Sequence, residues 1–256
     1  MRPMIWDMHV HLDFMRNMRE IAAEAEMLGF GMLGMTVSPR DHERVCGTLR
    51  DVPNVRLCVG LHPWWAADGR CGADDAELAA ELIRGTRFVG EIGLDASPKH
   101  VPEGSLGIQT EIFETVCSAC AETSDAGSPK ILSLHSVKAG GLTLDVLERT
   151  GCLAGCRCIF HWFTGSNEEL NRAVRSGCMF SVNEMMLRTR RGREYARQLP
   201  AGRLLAETDL PPGRDIIFSA AEIMNSLERV ISELSVIRGG DMRPVIEENT
   251  ARVLDL

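Results

Sequence analysis

The chain has 256 residues, of which 45% are apolar and 25% charged, with 28 Lys and Arg against 36 Asp and Glu for a formal charge of −8. That is an ordinary globular balance and excludes a disordered, fibrous or coiled-coil chain. It also argues against coating of nucleic acid by a broad basic surface, since such binding draws on phosphate neutralisation by Lys and Arg, but it leaves a local positive site open. No apolar run approaches the roughly 18 residues needed to span a bilayer, so no membrane association is expected. No export-type segment precedes the strand-like pattern at Met4-Ile5-Trp6, which makes a cytoplasmic location the expectation. The nine cysteines are then expected as reduced core thiols rather than a structural zinc site, the spacings Cys117-x-x-Cys120 and Cys156-x-Cys158 included.

Eight short apolar runs follow one another at residues 5–9, 32–38, 55–61, 88–92, 131–135, 158–162, 179–182 and 204–207. Each is nearly continuously apolar, the pattern of parallel strands buried on both faces. Amphipathic stretches predict helices at 16–28, 76–84, 106–123, 142–149, 168–176 and 216–236, with Gly29, Gly85, Gly151 and Gly177 as left-handed stops. Repeated βα units without a linker predict one α/β domain over residues 1–256, a (β/α)8 TIM barrel, with a doubly wound open sheet as the alternative. Residues 209–215, rich in Pro and Gly, read as an irregular loop.

Asp7-x-His9-x-His11 ends the first run, and alternate residues of a strand share a face, so the two histidines can converge on one metal ion. Glu91, His135, His161 and Asp209 fall at or just past the ends of the fourth, fifth, sixth and eighth runs. In a barrel that rim carries the active site. Four imidazoles and two carboxylates exceed what one hydrolytic zinc needs, which points to two divalent ions, Mg²⁺, Mn²⁺ or Zn²⁺, with Glu91 as the bridge.

The segments Asp7-Met8-His9-Val10-His11-Leu12-Asp13, Gly60-Leu61-His62-Pro63, Gly90-Glu91-Ile92-Gly93-Leu94-Asp95, Leu134-His135-Ser136, His161-Trp162-Phe163-Thr164-Gly165-Ser166, Glu207-Thr208-Asp209 and Glu248-Asn249-Thr250-Ala251-Arg252-Val253-Leu254 resemble the TatD family of metal-dependent hydrolases and deoxyribonucleases from end to end. The resemblance implies a TIM barrel, divalent metals and phosphodiester hydrolysis. It makes His9, His11, Glu91 and Asp209 ligands of one ion and Glu91, His135 and His161 ligands of the other, with Glu91 and Asp209 catalytic and Asp209 orienting the attacking water. His62 is similar to the family's non-ligand histidine near the scissile phosphate. Asp7, Asp95 and Glu207 stand as carboxylates behind the ligands, Glu207 alternatively as a buried partner of an arginine.

Departures from the family pattern bear on the substrate. Ala96-Ser97-Pro98 follows Asp95 where many members carry aromatics, and Val137-Lys138 replaces the usual arginine after Ser136, leaving Lys138 as a point-charge phosphate contact. Segments 132–136, 160–165 and 180–182 are more similar to the QatD-type nuclease of the Qat anti-phage defence system, which would bring functional partners encoded in the same operon. Arg188, Arg190, Arg191, Arg193 and Arg197 either track a nucleic-acid backbone or form a solvated helix face, with Arg188 and Arg191 as the substrate contacts expected. Trp64 and Trp65 either stack an unpaired base or pack as loop residues. The reading that results is a monomeric, metal-dependent exonuclease acting on DNA ends or single strands. The alternative is hydrolysis of a small ester, amide or lactone.

Overall fold

The computed structural model describes residues 5–49 and 51–256. Met4, assigned above to the opening strand pattern, lies outside them. The elements run β1 (Ile5–Val10), α1 (Met18–Leu28), β2 (Phe30–Gly34), α2 (Pro39–Leu49), β3 (Val55–Leu57), β4 (Val59–Leu61), α3 (Pro63–Ala67), α4 (Ala73–Arg84), β5 (Phe88–Asp95), α5 (Leu106–Thr123), β6 (Ile131–Val137), α6 (Gly140–Arg149), α7 (Cys152–Gly155), β7 (Arg157–His161), α8 (Asn167–Arg175), β8 (Met179–Val182), α9 (Glu184–Leu187), α10 (Arg190–Gln198), β9 (Leu204–Ala206), α11 (Ala220–Arg238) and α12 (Arg243–Leu254).

All strand pairs are parallel, in the orders β1-β2-β3 and β4 through β9. The predicted run 55–61 is one stave divided at Cys58, whose N–H donates to Gly34 O at 2.8 Å. Asp209 N donates to His9 O at 2.9 Å and His11 N to Leu210 O at 2.8 Å, which joins the last stave to the first. The fold is the eight-stave (β/α)8 barrel, not the open sheet. Among the described residues no helix is long and apolar enough to cross a membrane.

Side-chain alternation sorts the staves into two cores. Trp6, Met8, Leu33, Met35, Cys58, Ile131, Ile159, Met179 and Leu205 fill the barrel interior, while Leu132, Leu134, Phe160, Phe180 and Leu204 face the helices. Val253 and Leu254 of α12 join the interior cluster, so this helix, absent from the prediction, closes the barrel floor. Arg87 and Arg157 hold it there through the carbonyl of Val253 and the carboxylate of Asp255.

Three further expectations are corrected. Residues 216–218 pair with 14–17 through Arg16 N to Ile216 O (2.8 Å) and the Asn17 amide to Phe218, so α1 starts at Met18 and α11 at Ala220. Gly85 has φ −93°, so that stop is not left-handed, whereas Gly29, Gly151 and Gly177 are. Helices α2, α3, α7, α9 and α10 were also not predicted, most being short or strongly polar. The nine cysteines are free, and Cys117 and Cys120 lie in the core between helices and strands.

Gly60 shows how tightly the staves approach: a Cβ there would collide with the carbonyl oxygens of Thr36 and Gly90. Gly60→Ala is expected to lower stability by about 3 kcal/mol or more through backbone displacement. Gly47, exposed within α2 with open space around it, is the control. Gly47→Ala is expected to raise stability by about 0.5–1 kcal/mol. Urea unfolding of both variants measures the difference.

Candidate metal centre

The inward positions of the staves form layers. Ile131, Ser133 and His135 climb β6, Ile159 and His161 climb β7, and Leu205, Glu207 and Asp209 follow β9, each series with period two. The floor is apolar, the middle carries hydroxyls and carboxylates, and the top carries imidazoles. β1 breaks the rule. With Trp6 and Met8 inside, strict alternation would aim His9 at the helices, but the register shifts between Asp7 and Val10 and Val10 faces outward instead. A second shift between Val89 and Ile92 does the same for Glu91. Such irregularities re-aim side chains at barrel rims.

Glu91 sits at the centre, buried, with its two oxygens facing different sets of rings. Oε1 lies 2.7 Å from His135 Nδ1 and 2.9 Å from His161 Nε2. Oε2 lies 3.3 Å from His11 Nε2 and 3.6 Å from His9 Nε2. Asp209 Oδ1 adds distances of 3.7 Å to His9 and 3.5 Å to His11. The far nitrogens of two rings are hydrogen-bonded to the layer below or beside them, His9 Nδ1 to Ser133 Oγ at 2.8 Å and His135 Nε2 to Asp95 Oδ2 at 3.1 Å, while His161 Nδ1 faces Glu207 Oε1 at 3.5 Å without a hydrogen bond. His11 Nδ1 points toward Asp13 Oδ1, 3.8 Å away and too far for a hydrogen bond. Partners of this kind fix the tautomer and leave the inner nitrogen's lone pair for a cation.

The buried Glu91 and the partly exposed Asp209 among four imidazoles require positive charge between them, which a proton or a divalent ion can supply. Burial alone would lower His11, but hydrogen bonds to Asp209 and Glu91 overturn it and push the ring up to about 10. Burial opposes the charge on His161 too, yet Glu91 and Glu207 hold it well above the usual value. Burial would raise Glu91, and the surrounding imidazoles keep it well below the ordinary carboxylate range. The inner nitrogens of His9 and His11 approach to 3.4 Å, a pair of lone pairs that a cation between them reconciles. Three sets of donors lie within 4.8 Å of one another: His9, His11 and Glu91; His9, His161 and Asp209; and His62, Glu91 and His135. This donor set fits divalent ions of the zinc and manganese type.

His62 is distinguished by its other nitrogen. Trp64 N–H donates to His62 Nδ1 at 3.1 Å, so the proton of the neutral ring belongs on Nε2, 3.3 Å from Glu91 Oε2. Burial lowers this ring to about 4, which keeps it neutral. With Nδ1 occupied and Nε2 protonated, His62 offers a donor to an anion and no lone pair to a metal.

Asp95 is a hub: it accepts from Trp64 Nε1 (2.8 Å), Ser97 N (2.7 Å) and the rings of His100 (2.8 Å) and His135. Burial would raise its carboxyl, but the His135 and Trp64 bonds draw it down. Glu207 meets no arginine among the described residues; it accepts from Ser181 Oγ and from Asn183 Nδ2 at 2.9 Å beneath His161. Asp7 touches none of the rings and instead ties β1 to residue 208 through Thr208 N (3.0 Å) and Oγ1 (2.5 Å). The sequence reading missed Ser133, Asp13, Asn183 and His100; Ser133, two before His135 on one strand, was open to the same alternation argument.

The rings floor a cavity of about 500 Å³ walled by Phe14, Val37, Trp64, Trp65, Trp162 and Pro211. Trp64 and Trp65 thus line the site, although Trp64 is also bonded to Asp95 and Trp65 is covered by the Arg70 guanidinium at 3.6 Å. Lys138 and Arg191 line an adjoining hollow, and Arg188 lines neither.

Residues 6–255 match the model of the family described as TatD related DNase. The chain is 23% identical over 269 aligned residues to human Deoxyribonuclease TATDN3, covering 98% of this chain and 93% of that protein. It is 26% identical to the 3′-5′ ssDNA/RNA exonuclease TatD of Dickeya dadantii, with 97% of each covered. Among solved structures, a TatD homologue of Escherichia coli superposes with a TM-score of 0.79 at 19% identity over the whole of both chains, which bears on the fold.

The tautomer argument separates His62 from His135. His62→Ala is expected to retain the parent's divalent-metal content, whereas His135→Ala loses part of it. Glu207→Gln should weaken metal affinity by about 10- to 100-fold. Elemental analysis after gel filtration and titration calorimetry check these outcomes.

Proposed function

Because this chain belongs to the TatD-related DNase family, hydrolases that cleave phosphodiester bonds, we propose that it is a two-metal exonuclease acting on DNA ends or single strands. The observation that carries this reading is Glu91, whose Oε1 faces His135 and His161 while its Oε2 faces His9, His11 and His62, so that one carboxylate stands between two groups of imidazoles. In it, His9, His11, Glu91 and Asp209 hold one ion and Glu91, His135 and His161 the other. Ions bound there supply Lewis acidity, lowering the pKa of water and offsetting charge on the phosphate.

The protein's own groups do the rest. Asp209, at φ +58° just past β9, has its side chain 22% exposed to the cavity, so it can accept the proton of an attacking water and hold it in line. His62 donates its Nε2 proton to a phosphate oxygen, and Trp64 keeps that proton in place by occupying Nδ1. Ser133, Asp95 and Glu207 hold the ligand rings in their tautomers. The aromatic walls, Phe14, Trp64 and Trp162, offer faces for an unpaired base. A 3′-to-5′ direction is proposed from the name of the Dickeya relative.

Glu91→Gln is expected to lose at least about 10²- to 10³-fold in cleavage of labelled single-stranded DNA, with an unchanged circular dichroism spectrum. Chelation should abolish the activity and Mn²⁺ or Zn²⁺ restore it. Full cleavage by Glu91→Gln would overturn the reading. Digestion of 3′- and 5′-labelled strands reads the polarity. The cavity's apolar walls also suit a small ester, amide or lactone, and activity confined to such substrates would favour that alternative. A role in anti-phage defence rests on the likeness of segments 132–136, 160–165 and 180–182. Glu91→Gln in the intact operon should then raise phage plating to the level of the empty strain.

A further inference from the structure

Next to the metal cavity lies a second hollow of about 490 Å³, lined by Lys138, Thr164, Ser166, Asn167, Arg191 and Tyr195 together with Gly165 and Glu169. Thr164 lines both. We propose that this hollow is a phosphate subsite that holds the backbone phosphate next to the scissile one, with Lys138 and Arg191 as its cations. The inference rests on the nuclease reading above and gives it a preference for chains over isolated diesters.

Of the arginines on the rim, Arg190 and Arg191 form no ion pair with a described residue, and of these two only Arg191 lines the hollow. Arg193 pairs with Glu233 at 3.1 Å, Arg197 with Glu194 at 2.6 Å, and Arg188 faces Glu184 at 4.0 Å. Arg191 alone among these lines the hollow, and neither it nor Lys138 forms an ion pair with a described residue. The one carboxylate in the wall, Glu169, is committed elsewhere: it accepts from Ser166 N and Gly141 N, both at 2.6 Å, and so caps α8. Two cations of different geometry, a forked guanidinium and a mobile ammonium, therefore face an open polar hollow.

The backbone supplies an independent observation. Five described residues other than glycine have left-handed φ: Lys138, Trp162, Asp209, Asp215 and Asp255. Lys138 and Trp162 stand directly past β6 and β7 and Asp209 three residues past β9, and each lines the metal cavity or the hollow beside it. Lysine has no local hydrogen bond that favours this conformation, in contrast to aspartate. Backbone strain of this kind concentrates where a side chain serves a ligand. The partition between the two hollows is firm as well, because Tyr195 Oη donates to Gly165 O at 2.7 Å and leaves the 164–166 turn little freedom. A strand leaving the metal centre past Thr164 enters the hollow directly.

The test compares Lys138→Ala/Arg191→Ala with the charge-matched control Arg149→Ala/Arg243→Ala. Each is given a short fluorescent oligothymidylate and bis(p-nitrophenyl) phosphate. The expected result is a roughly tenfold rise in KM for the oligonucleotide, so that its preference over the small diester falls by the same factor. The slope of log binding constant against log salt, read by anisotropy, should drop by about 0.7, the value for one neutralised phosphate of a single strand. Equal oligonucleotide KM and salt slope in the double variant and its control would overturn the subsite, as would equal loss on both substrates or no oligonucleotide binding by the parent. If the parent binds the strand but cleaves nothing, the nuclease reading falls, and loss of binding in the double variant alone still supports the subsite. Lys138→Gly, which removes the charge and the strained backbone together, should melt no lower than the parent while binding the strand more weakly. Retained binding there counts against Lys138.

Discussion

Glu91 is a carboxylate buried at the barrel axis with imidazoles on both of its oxygens, and the architecture of the rim follows from that arrangement. An unpaired charge in such a place costs several kcal/mol, so the rings around it must carry positive charge or hold something that does. Behind the rings, one layer away, stand Ser133, Asp95 and Glu207, the first two hydrogen-bonded to His9 and His135 and the third facing His161. Those groups are themselves buried and need partners, met by Asn183, Ser181, Trp64 and His100. Polarity therefore descends from the rim into the barrel for two layers and stops at the apolar floor of Ile131, Ile159, Met179 and Leu205.

Much of this is legible from residue order, because β6, β7 and the segment that continues β9 alternate without a break. His135, His161 and Asp209 follow from the strand ends alone. His9 and Glu91 were placed correctly at the rim for an incomplete reason, since their inward aim depends on register shifts that leave no plain mark in the sequence. The tautomer of His62 depends on one backbone N–H supplied by the turn into α3. In the arginine run, Arg188 and Arg197 pair with carboxylates three or four residues away, which the string itself offers, whereas the partner of Arg193, Glu233 of α11, is brought alongside only by folding. The barrel floor was hidden for a similar reason: α12 has too mixed a pattern to announce that its last turn enters the interior.

The acidic composition takes on a more specific meaning beside these distances. A chain with a charge of −8 repels a polyanion over most of its surface, and attraction is confined to a few points that are not neutralised internally. Under the proposals made here those points are contiguous on one rim, so electrostatics would orient a strand as well as bind it.

The hydrogen bonds that close the barrel also set an order of events in the life of the molecule. Asp7 holds Thr208 across a separation of 201 residues, and Asp209 meets His9 through the same junction. While the chain is still emerging from a ribosome, its early histidines lie far from the carboxylate that completes their cluster. The His9 and His11 cluster can therefore be completed by Asp209 only after the eighth stave has been made and docked, so the full centre belongs to the finished barrel rather than to the growing chain.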